Sequence, residues 1–141
     1  NSTGGCVMTM NGNTQATALV EDTPTKVDTD SLAVAQASVR YTVATDGRVT
    51  YNGTKQIYVS LHASLSYNKS GGGADEYSFY FYKNGVQLAG SETLVDAELN
   101  GSVSMVYGTL MSQTDYIEVF VENTQSADDM LVVDWQVLVR E

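Results

Sequence analysis

The sequence is poor in the residues that build disulfides, metal sites and basic surfaces. Its 141 residues include one cysteine, one histidine and one proline, with 7 Lys and Arg against 17 Asp and Glu. One cysteine cannot form an internal disulfide, and one Cys with one distant His cannot build a transition-metal site. The formal charge of −10 disfavours nucleic acid and anionic bilayers as partners. No run approaches the ~20 apolar residues that a membrane-inserted helix needs.

Length and composition indicate a single all-β domain. The chain is long enough for one core, and its valines, threonines and nine tyrosines favour strands. About eight to ten short strands, repeating at a spacing of roughly 8–15 residues, predict an antiparallel jelly-roll β-sandwich. We place this domain over residues 16–141, with a first strand at 16–21. The Gly/Asn/Thr-rich residues 1–15, including a lightly buried Cys6, are expected to form an N-terminal arm or linker.

Local signals place several elements. The Asp46-Gly47 and Asn84-Gly85 dipeptides are typical of tight hairpin turns. Residues 31–38 fit a strand about as well as a short helix, and their periodicity does not decide between the two.

Two long segments alternate in a way that suggests association with another chain. In residues 55–67 the aliphatic side chains face one side, while tyrosine, histidine and serines face the other. Residues 102–111 carry apolar groups on both faces. A strand that is apolar on both faces should be covered on both, and a subunit interface is the natural cover in a small sandwich.

No residue pattern indicates catalysis, a cofactor or a metal. The single histidine, His62, lies in the middle of a predicted strand among serines, which fits an interface or hydrogen-bonded position better than a general base. Acidic pairs such as Asp128 and Asp129 lack the spacing of a calcium-binding loop and are interpreted as solvated loops. We therefore expect a protein that is not an enzyme.

An aromatic stripe is the surface feature with most functional promise. Tyr80 and Tyr82 share one face of a predicted strand that follows a glycine-rich loop. Exposed tyrosines supply contact area at low entropic cost, so the stripe, with the nearby Asp75, is a candidate surface for a sugar ring or a partner chain. Packing between neighbouring strands is the alternative role for the two tyrosines.

The order of these features resembles the C1q/TNF-type jelly roll found in phage and other viral structural proteins. The resemblance covers about residues 16–141 and departs from the family at Thr114, where a glycine usually precedes the aspartate. Its segments are TALVEDTPTKV (17–27), GRVTYNGTKQIYVSLHASLSYN (47–68), YFYKNGVQLAGSE (80–92) and GTLMSQTDYIEVFVEN (108–123).

The resemblance implies a homotrimer with three sandwiches around a threefold axis, and no catalysis. It would place Tyr58, His62, Met105 and Tyr107 near that axis. It also implies a place on the virion surface, where the chain would be a capsid decoration (cement) or head-fibre protein bound to the major capsid protein. The alternative is the receptor-binding tip of a phage tail fibre, which would attach to a host glycan through Asp75, Tyr80 and Tyr82.

Overall fold

The computed structural model describes residues 4–70 and 73–141. Nearly all regular structure is β, with one short 3-10 helix at Ala89–Ser91. The described residues contain no helix with the length and apolarity needed to cross a bilayer. The strands in chain order are β1 (Gly5–Met10), β2 (Thr25–Lys26), β3 (Val34–Val39), β4 (Tyr41–Val43), β5 (Val49–Tyr51), β6 (Ile57–Lys69), β7 (Asp75–Lys83), β8 (Val86–Gln87), β9 (Thr93–Ala97), β10 (Asn100–Met111), β11 (Tyr116–Asn123) and β12 (Met130–Arg140).

The strands form two antiparallel sheets that pack face to face as a jelly roll. Sheet I has the order β10-β6-β12-β1-β3, and sheet II has the order β4-β5-β11-β7-β8. In sheet II, β2 also pairs with β11 and β9 with β7. The all-β jelly-roll sandwich expected from the sequence is confirmed, with twelve strands among the described residues where eight to ten were expected.

Alternation along each strand builds the core between the sheets. The inward side chains of β6, such as Leu61 and Leu65, meet aromatic residues of β7, such as Phe79, and all are essentially inaccessible to solvent. Trp135 of β12 lies against the turn at Gly47, where an added Cβ would sit 2.7 Å from the indole. This close approach, together with the φ of +95° at Gly47, requires glycine there.

The prediction of an N-terminal arm over residues 1–15 is wrong for residues 5–10, because these residues form the strand β1. Residues 5–10 pair with β12 on one side and with β3 on the other. Cys6, Met8 and Met10 are at most 2% exposed in the core, so Cys6 is a fully buried residue. The Gly/Asn/Thr-rich flanks concealed a period of two in the sequence GCVMTM. Residues 1–3 of the expected arm lie outside the described residues.

Two further expectations in this part of the chain are resolved. Residues 16–21 form no strand and make only isolated bridges, such as that between Thr17 and Met130. The ambiguous segment 31–38 contains the strand β3 rather than a helix. Both hairpins are confirmed, since β4 pairs with β5 and β7 pairs with β8. Asn84 and Gly85 both have positive φ, as a tight two-residue hairpin turn needs.

The departure from the family at Thr114 has a structural consequence. Thr114 has a φ of +75° in the turn between β10 and β11. A β-branched residue is disfavoured in this region by roughly 1–2 kcal/mol, whereas glycine adopts it freely. The turn therefore holds a strained residue at the position where the jelly rolls that the sequence resembles usually have glycine.

Thr114→Gly should stabilise the protein by about 1 kcal/mol, because relief of the positive-φ strain outweighs the added freedom of the unfolded chain. Urea unfolding monitored by Trp135 fluorescence measures the change. Thr50→Gly is the matched control, since Thr50 lies within β5 without a positive φ, and this variant should be destabilised. A loss of stability in Thr114→Gly would show that the turn is not strained.

Candidate interaction surfaces on the two sheets

The outer face of sheet I carries two of the four residues predicted near a threefold axis. Tyr58 and His62 both point away from the core on β6, and Tyr58 is 68% exposed. Their partners in register on β10 are Leu110 and Val106, which also point outward. Leu138 of β12 lies on the other side of His62. The result is a continuous outward patch in which one histidine and one tyrosine stand among aliphatic side chains.

The other two predicted residues point the opposite way. Met105 is 1% exposed and pairs with Ala63, and Tyr107 pairs with Leu61, so both belong to the core side of β10. Tyr107 is half-buried against the core and rests on Gly90. Met105 therefore cannot be an axis-facing residue, and that prediction is wrong. The alternation within each strand was correct, but the register between β6 and β10, which decides which alternate faces coincide, was not available from the sequence.

The outer face of sheet I is depleted of charge. Among the described residues of β1, β6, β10 and β12 on this face, only Asp134 and Arg140 are formally charged, although the chain has 17 acidic residues. The other positions carry no formal charge. They include Tyr58, Ser60, His62, Ser64, Ser66, Asn68, Asn100, Ser102, Ser104, Val106, Gly108, Leu110, Leu131, Gln136, Leu138, Gly5, Val7 and Thr9. This face can approach another copy without bringing like charges together.

The outer face of sheet I is uneven, with side chains that project in one place and a hollow in another. Tyr58, Val106 and Leu110 project from the β6 and β10 side. Near the start of β1 and the ends of β3 and β12, a hollow of about 330 Å³ is lined by Gly5, Val7 and Leu138 and by the charged Arg140 and Glu141. Projection and hollow are therefore separate patches.

Asp75 lies in a buried ion network rather than on an open binding surface. Lys69, whose side chain is completely buried, donates from Nζ to Asp128 Oδ2 at 2.7 Å and lies 3.5 Å from Asp75 Oδ2. Ser126 and Asn123 donate to the same Asp75 oxygen. These hydrogen bonds first, and the Lys69 charge second, hold the pKa of Asp75 below its usual range. The predicted role of Asp75 in ligand contact is therefore corrected to a structural one.

Tyr80 and Tyr82 lie on the outer face of sheet II, as expected, but they differ in exposure. Tyr80 is 8% exposed and donates its hydroxyl to Glu92 Oε2 at 2.9 Å. Burial, and then this hydrogen bond, raise the pKa of Tyr80 to about 12. The ring of Tyr82 stacks on Phe120 of β11 with centroids 3.6 Å apart. Tyr80 is thus covered and cannot stack on a sugar, whereas Tyr82 remains partly accessible beside Phe120.

The outer face of sheet II also holds a cation beside an aromatic ring and a carboxylate, which the sequence did not predict. The Arg48 guanidinium lies 3.9 Å from the centre of the Tyr116 ring, and its Nε donates to Glu118 Oε2 at 3.2 Å. Glu118 has a side chain only 6% exposed. Arg48 and Glu118 are far apart in the chain and meet through the pairing of β5 with β11, which local patterns do not reveal.

The acidic side chains are not gathered into a metal site in the part of the chain that the structure describes. Residues 4–70 and 73–141 contain no group of three or more His, Cys, Asp or Glu side chains placed to hold a metal ion.

Lys69→Met should lower the free energy of unfolding by about 3 kcal/mol, because it leaves Asp75 and Asp128 facing each other without a cation. Equilibrium unfolding in urea measures the loss. Lys55→Met, which changes an exposed lysine, should alter stability little. Equal small effects in the two variants would show that the Lys69 network adds no stability.

The low pKa of Asp75 predicts a defined loss of stability in acid. A depressed folded-state pKa stabilises the protein above the unfolded value of about 3.9 and stops doing so as the pH falls through the folded value. Asp75→Asn should therefore be less stable than the parent at pH 7, and the difference should shrink towards pH 2. Asp96→Asn, at an exposed position of β9, should differ little from the parent at either pH. A gap for Asp75→Asn that is independent of pH would contradict this account.

Comparisons with known proteins place the fold. No family model matches the chain, and no curated protein sequence matches it. Solved structures do match over nearly the whole length. Eiger TNF from S. frugiperda has a TM-score of 0.60 and 14% identity, covering 98% of this chain and 93% of its own.

Two further matches have the same extent. Murine APRIL has a TM-score of 0.59 and 10% identity, with 97% of this chain and 99% of its own covered. The PRD1 vertex protein P5 has a TM-score of 0.55 and 11% identity, with 100% of this chain and 98% of its own covered. At these identities the likeness is one of fold, and the fold of this chain is a TNF-like jelly roll.

Proposed function

We propose that this chain is a non-catalytic structural protein of a phage particle, a homotrimer that decorates the capsid or forms a head fibre at the virion surface. The observation that carries the proposal is the charge-depleted outer face of sheet I on a chain with a net charge of −10. The groups on this face carry little formal charge. A second copy can therefore desolvate them at a lower electrostatic cost than the charged groups elsewhere on the chain.

The relief of this face offers two patches through which copies of the chain could fit together. The projecting Tyr58, Val106 and Leu110 and the hollow lined by Gly5 and Val7 are separate patches. A projection of one copy can meet the hollow of another reciprocally in a twofold dimer or head to tail in a closed ring. Three copies are the number that the sequence resemblance implies. Tyr58 and His62 would then lie at the contact between subunits, while Met105 and Tyr107 stay within each core.

The virion role is supported by the fold likeness to the PRD1 vertex protein P5, together with the sequence resemblance to viral jelly rolls. Attachment to the capsid cannot depend on a free N-terminal arm over residues 1–15. Removing these residues would delete β1, which is paired between β12 and β3. Contact with the major capsid protein would instead use the outer surface of the folded trimer.

Receptor binding at a fibre tip is the second candidate function, and one observation favours it. The outer face of sheet II retains accessible rings at Tyr82 and Phe120 and the exposed Leu94. These are groups that a host surface molecule could contact. Incubation of the protein with undecorated capsids and with host cells, in parallel, separates the two functions. Binding to capsids supports decoration, binding to cells alone supports the receptor role, and binding to neither overturns both.

Val106→Asp should weaken self-association by about tenfold or more, because it places an unpaired charge in the contact. The parent should have a mass near three times 15.2 kDa in analytical ultracentrifugation, and the variant should shift towards the monomer. The control is Val86→Asp. Val86 is 66% exposed and Val106 is 64% exposed, so the two substitutions are matched in exposure. Val86 lies in sheet II, outside the proposed contact, and its substitution should leave self-association unchanged. A monomeric parent, or equal effects of the two substitutions, would contradict the assignment of this face.

A further inference from the structure

The outer face of sheet II already binds one guanidinium group from within the chain. Arg48 lies over the Tyr116 ring and pairs with Glu118, so that a ring and a carboxylate contact one planar cation. Guanidinium groups suit this arrangement, since they stack on aromatic faces and donate several hydrogen bonds in one plane.

A second set of the same groups lies next to it. The Tyr82 and Phe120 rings stack on each other, and Tyr82 is paired in register with Glu118. Further along the same two strands, Glu122 is paired with Ser78. Ser78 Oγ donates to Glu92 Oε2 at 2.8 Å. Two rings and two carboxylates therefore lie on one stretch of the sheet.

This second set differs from the first in its charge balance. Among the described residues, no Lys, Arg or His nitrogen lies within 4.0 Å of a carboxylate oxygen of Glu92 or Glu122. Partial burial and the carboxylates of Asp22 and Glu92 raise the pKa of Glu122. The nearby Lys26 is engaged by Asp46. The Glu122 carboxylate is thus partly desolvated and repelled by its neighbours, and a cation from another molecule would relieve this repulsion.

We propose that the outer face of sheet II docks an arginine-bearing segment of a partner protein, with a guanidinium over the Glu92 and Glu122 carboxylates, outside the Tyr80 hydroxyl that donates to Glu92, and against the Tyr82 and Phe120 rings. The surface is a sheet face with the exposed Leu94 beside it, which fits an extended peptide better than an enclosed small molecule. It lies on the opposite side of the sandwich from the charge-depleted face, so docking does not depend on the trimer.

Fluorescence anisotropy with labelled hexa-arginine at about 0.15 M salt tests the proposal, at an ionic strength that screens distant charges. Glu92→Gln with Glu122→Gln should weaken binding by about fivefold or more, the effect of losing roughly 1 kcal/mol. The control combines Asp28→Asn with Glu98→Gln, which removes the same charge at exposed positions elsewhere and should weaken binding less than about twofold. Equal weakening by the two double variants would overturn the site.

Hexa-lysine separates guanidinium recognition from charge alone. The parent should bind hexa-arginine more tightly than hexa-lysine, and Tyr82→Leu should reduce that preference because it removes one stacking ring. Equal binding of the two peptides by the parent would overturn the proposal. Thermal unfolding and mass by light scattering confirm that each variant is folded and assembled like the parent. Glu122→Gln should unfold at a higher temperature than the parent, and a lower one would contradict the repulsion on which the site is argued.

Discussion

The period of two along each strand is the constraint from which the rest of this molecule follows. Once Leu61 and Leu65 are committed to the core, Tyr58 and His62 must point outward. Pairing of β6 with β10 then brings Val106 and Leu110 to the same side. The composition of the outer face is therefore a direct result of what occupies the alternate positions, and a shift of one residue would exchange core and surface.

The sequence was most informative where that period was uninterrupted. The alternation over residues 55–67 and the turn at Asn84-Gly85 are predicted as the structure has them. Contacts between distant segments could not be predicted, and they account for the errors at Asp75 and Met105. Lys69 meets Asp128 across 59 positions, so Asp75 looked like a surface residue. Met105 was assigned to the outer face because the register of its strand was unknown.

The two outer faces have opposite chemistry. Sheet I offers serines, glycines and aliphatic side chains with hardly any formal charge. Sheet II offers carboxylates and aromatic rings, and one guanidinium already rests there. A face of the first kind suits contact with an identical, equally acidic copy, whereas a face of the second kind suits an unlike, basic partner. One small sandwich can in this way make both kinds of contact at once.

The position of β1 has a consequence for folding. Gly4 donates its amide to Glu141 across 137 positions of the chain, and β1 pairs with β12 along its whole length. Sheet I is therefore incomplete, with Met8 and Met10 lacking their cover, until the last strand is available. Such non-local pairing slows folding and leaves strand edges open in the meantime. During synthesis, β1 leaves the ribosome before the other strands of this domain, and its pairing with β12 can form only after the rest of the domain has been made.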